Sequence, residues 1–204
     1  MIDLRARIEA RIRQGGRGWV FSRKDLRDIA PSGPVGVILA RLVKYGMIRR
    51  VGRGLFEYPE ESRLLKTLLP PDLEQAAQAI ARKHRWTIVP EGAMAANRLG
   101  LSTQVPAKII YLSDGPSRKL QVGAQTILFR NGNPKDLRLE HYSSRLIAQA
   151  LRFLGKRTVD EKVIRHLQRR LPVRDKARFV RDARYATDWI LDVAQKIARR
   201  GARG

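Results

Sequence analysis

At 204 residues and 43% hydrophobic content, the chain is long enough to bury a core in each of one or two domains. It has no cysteine, which excludes disulfides and thiolate metal sites and fits a reducing compartment. Lys and Arg number 42 against 19 Asp and Glu, a formal net charge of +23. An excess of that size favours polyanionic partners through phosphate contacts and counterion release. Arginine dominance over lysine is also what GC-rich coding produces, but coding bias does not account for the shortage of acids. Residues 1–59 carry +8, residues 60–142 +4 and residues 143–204 +11, so both ends are more basic than the middle. The start, Met1-Ile2-Asp3-Leu4-Arg5, has no apolar stretch of signal-peptide length, and nowhere do about 18 apolar residues run together. No membrane span is expected, and a cytoplasmic location is.

In chain order, Leu4, Ile8 and Ile12 recur at spacing four and predict a first helix over residues 2–13, ended by Gly15-Gly16. Trp19 to Phe21 is strand-like. Ser22 with Asp25 three residues later predicts a capping-box start to a second helix containing Leu26 and Ile29. Pro31 to Pro34 makes a turn, with Ser32 the expected N-cap of a third helix. In that helix Ile38, Leu39, Leu42 and Val43 fall on one side and Arg41 and Lys44 on the other, and Gly46 stops it. Met47–Val51 and Leu55–Tyr58 predict two strands joined across Gly52-Arg53-Gly54. Ile48 and Val51 are three apart, so a bulge or a short first strand is needed for both to face inward.

Helix, strand, helix, turn, helix and hairpin is the order of a winged helix-turn-helix, in which the helix after the turn enters the major groove. The expected DNA contacts are Ser32, Gly36, Val37 and Arg41 toward bases and Lys44 toward a phosphate. Arg49, Arg50 and Arg53 would act from the hairpin. Arg23 and Lys24 open the second helix, where positive charge opposes the helix dipole and a nearby phosphate would relieve it. The competing reading is an ordinary helix-hairpin unit with solvated arginines.

Past Pro59 the chain changes character, through Glu60, Glu61 and four leucines to Pro70-Pro71, and a domain boundary is expected at residue 66. Asp72 caps a helix to about His84, bearing Leu73, Ala76, Ala77 and Ile80. Trp86–Val89 predicts a strand and Pro90–Leu99 a helix closed by Gly100. Ala107–Leu112, Lys119–Val122 and Thr126–Arg130 predict three more strands, turned at Asp114-Gly115-Pro116 and Asn131-Gly132-Asn133-Pro134. From Ser143 the pattern is helical. Thr158 and Glu161 suggest a capping box, Pro172 separates two helices, and a last helix with Trp189, Ile190, Val193 and Ile197 ends in Arg199-Arg200-Gly201. That last helix could pack on its own domain or present a partner surface. The expected fold is α+β: a winged helix-turn-helix (1–66), a small α+β domain (67–142) and a helical extension packed on it (143–204).

No phosphate-binding loop, nucleophile elbow or dinucleotide fingerprint is present. His84, His141 and His166 lack metal-ligand spacing, so no metal, cofactor or catalytic residue is expected. The polar run Asn97 to Gln104 is unexplained by the fold. Asn97, Ser102, Thr103 and Gln104 either line a pocket or partner surface, or satisfy loop backbone.

Two stretches carry a family resemblance. LARLVKYGMIRRVGRGLFEYP, Leu39 to Pro59, resembles the winged-helix end of the AbiEi-like antitoxins of bacterial abortive-infection systems, and EGAMAANRLGLSTQVPAKIIYLSDG, Glu91 to Gly115, resembles their second-domain signature. The resemblance covers roughly residues 1–140, and the helical tail matches less well. It implies a transcriptional repressor that binds an operator inverted repeat, autoregulates its operon and, as the antitoxin of a type IV-like toxin–antitoxin system, opposes a nucleotidyltransferase-like toxin. Such antitoxins do not need a stable complex with the toxin, so direct binding is not assumed. It also implies that the Asn97–Gln104 stretch is more than idle loop. A nucleic-acid-processing enzyme and a non-specific architectural DNA-binding protein are the alternatives.

Overall fold

The computed structural model of the chain describes residues 3–132 and 137–199, an α+β fold with eight α-helices and two small sheets. It divides into two compact units, Met1–Trp86 with Lys119–Ile127, and Thr87–Arg118 with Leu128–Gly204.

In the first unit, α1 (Leu4–Gly15) starts where the Asp3 carboxylate accepts the Arg5 amide, and buries Ile8 and Ile12. β1 (Val20–Phe21) follows. The expected second helix is only one turn of 3-10 helix, η1 (Arg23–Leu26). Its capping box is formed: the Ser22 amide and hydroxyl donate to Asp25 at 2.8 and 3.0 Å, and Ser22 Oγ accepts the Lys24 amide at 3.2 Å. Helix does not continue because Pro31 disfavours the helical conformation at Ala30, leaving too few residues to propagate one. α2 (Ser32–Lys44) buries Val35, Leu39 and Leu42. Ser32 lies inside its first turn instead of capping it; Pro31 is the N-cap, and its carbonyl accepts the Val35 amide at 3.3 Å. Gly46, at φ +73°, turns the chain out of the helix through the left-handed region.

The hairpin consists of β2 (Arg49–Gly52) and β3 (Leu55–Glu57), and the antiparallel sheet runs β1-β3-β2. Its register shifts between Arg50 and Gly52, and Ile48 precedes the first paired residue, so Ile48 and Val51 are both buried despite their spacing. Ile8, Ile12, Phe21, Leu26, Leu39, Leu42, Ile48 and Phe56 share one core, with Trp19 stacked on Phe21 and Phe21 on Phe56. Glu57, in the central strand, is 2% exposed and accepts from Arg49 Nε; Arg49 Nη2 also donates to the Leu69 carbonyl.

α3 (Leu73–His84) packs on β1, η1 and β3, so the unit extends one helix beyond the boundary expected at residue 66. Asp72 caps it, accepting the Glu74 and Gln75 amides at 2.7 and 3.1 Å. Arg82 fastens it, with Nε 2.7 Å from Asp25 Oδ1 and Nη2 3.2 Å from the Val20 carbonyl. The double proline before Asp72 breaks the secondary structure without ending the packed unit.

The second unit holds β4 (Ile88–Pro90), α4 (Gly92–Arg98), β5 (Ile109–Ser113), and four more helices: α5 (Tyr142–Leu154), α6 (Glu161–Arg170), α7 (Val173–Ala183) and α8 (Asp188–Ala198). With β6 (Arg118–Val122) and β7 (Gln125–Asn131) the sheet order is β4-β5-β7-β6. The tip of the β6–β7 hairpin counts with the first unit, where the Gly123 amide donates to the Val51 carbonyl at 2.8 Å. Ala95 and Ala96 of α4 share a core with Ile147, Leu151, Leu167, Phe179, Ile190 and Ile197. Ile190, Val193 and Ile197 are therefore buried in their own unit, and Trp189 packs against them. The cap of α6 is Asp160, which accepts the Val163 amide at 3.0 Å, not Thr158, whose amide closes a turn onto the Gly155 carbonyl. Asn133, Pro134, Arg200 and Gly201 of the expected turn and helix end lie outside the described residues.

The start of α5 is latched to α7 by Asp182, 3% exposed, which accepts from the His141 amide and from His141 Nδ1, each at 3.0 Å. Burial pushes the Asp182 carboxyl up, but the hydrogen bonds it accepts, led by the His141 amide, together outweigh burial and hold it below the ordinary carboxylate value.

Two stability measurements test these contacts. Arg49→Ala should lower unfolding free energy by about 3 kcal/mol in urea titrations, since it leaves a buried carboxylate unpaired. Arg53→Ala, at the exposed turn, should stay within about 0.5 kcal/mol. Because Asp182 titrates lower folded than unfolded, its stabilisation is full above the unfolded pKa and disappears as pH falls through the folded one. From about pH 5 to about pH 3 the Tm of the natural protein should therefore fall more steeply than that of Asp182→Asn.

Candidate nucleic-acid interface

Between Asp28 and Glu57 the sequence has no acidic residue. That stretch forms α2 and most of the hairpin, so apart from Arg49, which pairs with Glu57, the cations it carries have no acid within the stretch to answer them. The inner face of α2 is spent on the core at Val35, Leu39 and Leu42. Ser32, Val37, Arg41 and Lys44 are exposed, and Val37, Arg41 and Lys44 recur at helical spacing on the opposite face. Val37 is 54% exposed, an apolar side chain one turn from Arg41.

Gly36 has a packing role. A Cβ there would lie 3.1 Å from Arg23 Cζ, so the absence of a side chain seats the Arg23 guanidinium against α2. The dipole argument for Arg23 and Lys24 lapses, because a single 3-10 turn has little macrodipole to oppose. Lys24 instead reaches α3, its Nζ donating to the Lys83 carbonyl at 2.7 Å.

On the hairpin the three expected arginines divide. Arg49 is committed to Glu57 and Leu69 and holds the fold together. Arg50 is exposed, its guanidinium carbon 5.5 Å from the centroid of the Phe56 ring. Arg53 is exposed at the turn. Lys83, which the sequence reading missed, extends its Nζ to the Arg53 carbonyl at 2.8 Å. Arg82-Lys83-His84 looks like the usual basic end of a helix, and nothing local ties it to a hairpin 30 residues earlier.

In the second unit, Asn97 and Ser102 are engaged with their own loop. Asn97 Nδ2 donates to the Ser102 and Gln104 carbonyls at 3.2 and 2.9 Å, and Ser102 Oγ accepts the Gln104 amide at 3.2 Å. This is the backbone-satisfying alternative. Thr103 and Gln104 are exposed and line, with Leu101, Ser102 and Phe153, an open cavity of about 420 Å³.

Among the described residues one trio brings possible metal ligands together: Glu140, His141 and Asp182, whose ligand atoms lie within 4.8 Å of one another. Arg181 Nη2 sits 3.4 Å from His141 Nε2, placing positive charge at the remaining ring nitrogen. The trio is better explained as the latch between α5 and α7. His166 Nε2 donates to the Leu99 carbonyl at 2.8 Å, and His84 stacks on Trp86. No helix among the described residues is long and apolar enough to cross a membrane.

No curated protein matches this sequence. A family profile matches residues 7–187, and the chain belongs to that family, DUF6088, a family of unknown function.

Proposed function

We propose that the first unit is a winged helix-turn-helix that binds duplex DNA and represses transcription of its own operon. The observation that carries this reading is the outer face of α2, where Val37, Arg41 and Lys44 stand exposed within a stretch that has no acid from Asp28 to Glu57. α2 is the recognition helix: Ser32, Val37 and Arg41 meet base edges, and Lys44 meets a phosphate. The β2–β3 hairpin is the wing, with Arg50 and Arg53 on the backbone or minor groove, and Arg23, seated against α2 at Gly36, adds a phosphate contact. Arg49 is left out of this set because its guanidinium is spent on Glu57.

The resemblance of Leu39–Pro59 and Glu91–Gly115 to AbiEi-like antitoxins extends the reading to a cytoplasmic antitoxin opposing a nucleotidyltransferase-like toxin encoded in the same operon. The second unit would supply that activity through the surface carrying Thr103 and Gln104. An enzymatic reading finds less support, because the amide of Asn97 is used by its own loop.

Anisotropy titrations at near-physiological salt should show preference for a duplex carrying an inverted repeat from upstream of this gene over a random duplex. Arg41→Ala should cost about 1–3 kcal/mol of that preference, while Arg53→Ala weakens both duplexes alike. Equal affinity of the natural protein for both duplexes would contradict the repressor reading and favour an architectural binder. Expressing a nucleotidyltransferase-like protein from the same operon should arrest growth, and co-expressing this chain should restore it; failure to restore growth contradicts the antitoxin reading.

A further inference from the structure

Lys83 lies on the last turn of α3, outside the stretch that the winged-helix reading uses. Its side chain crosses the hairpin turn at Gly54, where a Cβ would come within 3.0 Å of Nζ. Gly54 has φ +69°, so the turn needs glycine both for its backbone and for this close approach. Nζ of Lys83 donates to the Arg53 carbonyl at 2.8 Å, while its own carbonyl accepts Lys24 Nζ at 2.7 Å. Residues from η1, the hairpin turn and α3 are thereby drawn to one place.

All three side chains are cationic, and among the described residues no carboxylate forms an ion pair with them. The acid nearest in sequence, Asp25, is already bound to Arg82 at 2.7 Å and to Ser22. Burial pushes the Lys83 ammonium down, and Arg53 and Lys24 push it the same way. Here each ammonium gives one donor to a backbone carbonyl and keeps two for another acceptor.

We propose that Lys24, Arg53 and Lys83 form a clamp for a backbone phosphate of duplex DNA, which makes α3 part of the DNA-binding surface. The proposal rests on the DNA-binding reading above and deepens it by adding a contact from beyond the wing. A phosphate here would supply the anion that the cluster lacks and would read no sequence, so its effect is uniform across duplexes.

Salt titrations of binding to the upstream duplex and to a random duplex, using the full chain, test this directly. Lys83→Gln and Lys24→Gln should each reduce the slope of log affinity against log salt, and the double variant should reduce it by about 0.9, with weaker binding to both duplexes near physiological salt. Lys83→Arg should keep the slope, and melting temperatures of the Gln variants should not fall. Lys24 is exposed, so its variant remains informative if Lys83→Gln melts early. Unchanged slopes and affinities in variants of a protein that does bind duplex overturn the clamp and leave the DNA-binding reading standing. Absence of duplex binding by the natural protein overturns both.

Discussion

A carboxylate in the middle strand of a three-stranded sheet must be answered, and much of the first unit is arranged around that requirement. Glu57 is 2% exposed in β3, with β1 on one side and β2 on the other. Arg49 from the paired strand neutralises it, and the same guanidinium holds the Leu69 carbonyl, which fixes the connection leaving the sheet. The cost of desolvating such a pair is recovered only when the partner geometry is held. The hairpin therefore cannot slip in register without stranding a buried charge, and its remaining arginines, Arg50 and Arg53, are displayed from a fixed frame.

α3 has the opposite electrostatic character at its C-terminal end. Arg82 completes an ion pair with Asp25, but Lys83 is placed among like charges. One residue docks the helix and the next is left under strain of charge. Fold and proposed function meet at that junction, since a phosphate would turn an unfavourable cluster into a contact.

Much of this was legible in the sequence. Periodicity identified α1, α2 and α3, Gly15-Gly16 and Gly46 marked the ends of the first two, and the Gly52-Arg53-Gly54 turn located the hairpin. The Ile48–Val51 spacing signalled the irregularity that the register shift at Arg50–Gly52 supplies. What failed were competitions between local signals. The Ser22–Asp25 capping box formed, yet Pro31 confined it to a 3-10 turn, and at α6 Asp160 took the cap from Thr158. Long-range pairings were not legible at all. Nothing near Arg49 distinguishes it from Arg50, and only the strand pairing across to Glu57 separates a structural arginine from two displayed ones. His141 and Asp182 are 41 residues apart and had no sequence signal to join them.

The central claim is that α2 and the β2–β3 hairpin form the surface that meets DNA. Hydrogen–deuterium exchange of the full chain, with and without saturating duplex from upstream of the gene, tests it most directly. The account predicts added protection in residues 32–44 and 49–57 and at the C-terminal end of α3, with the helices from 142 to 198 unchanged. Bound duplex with no added protection in α2 would contradict it.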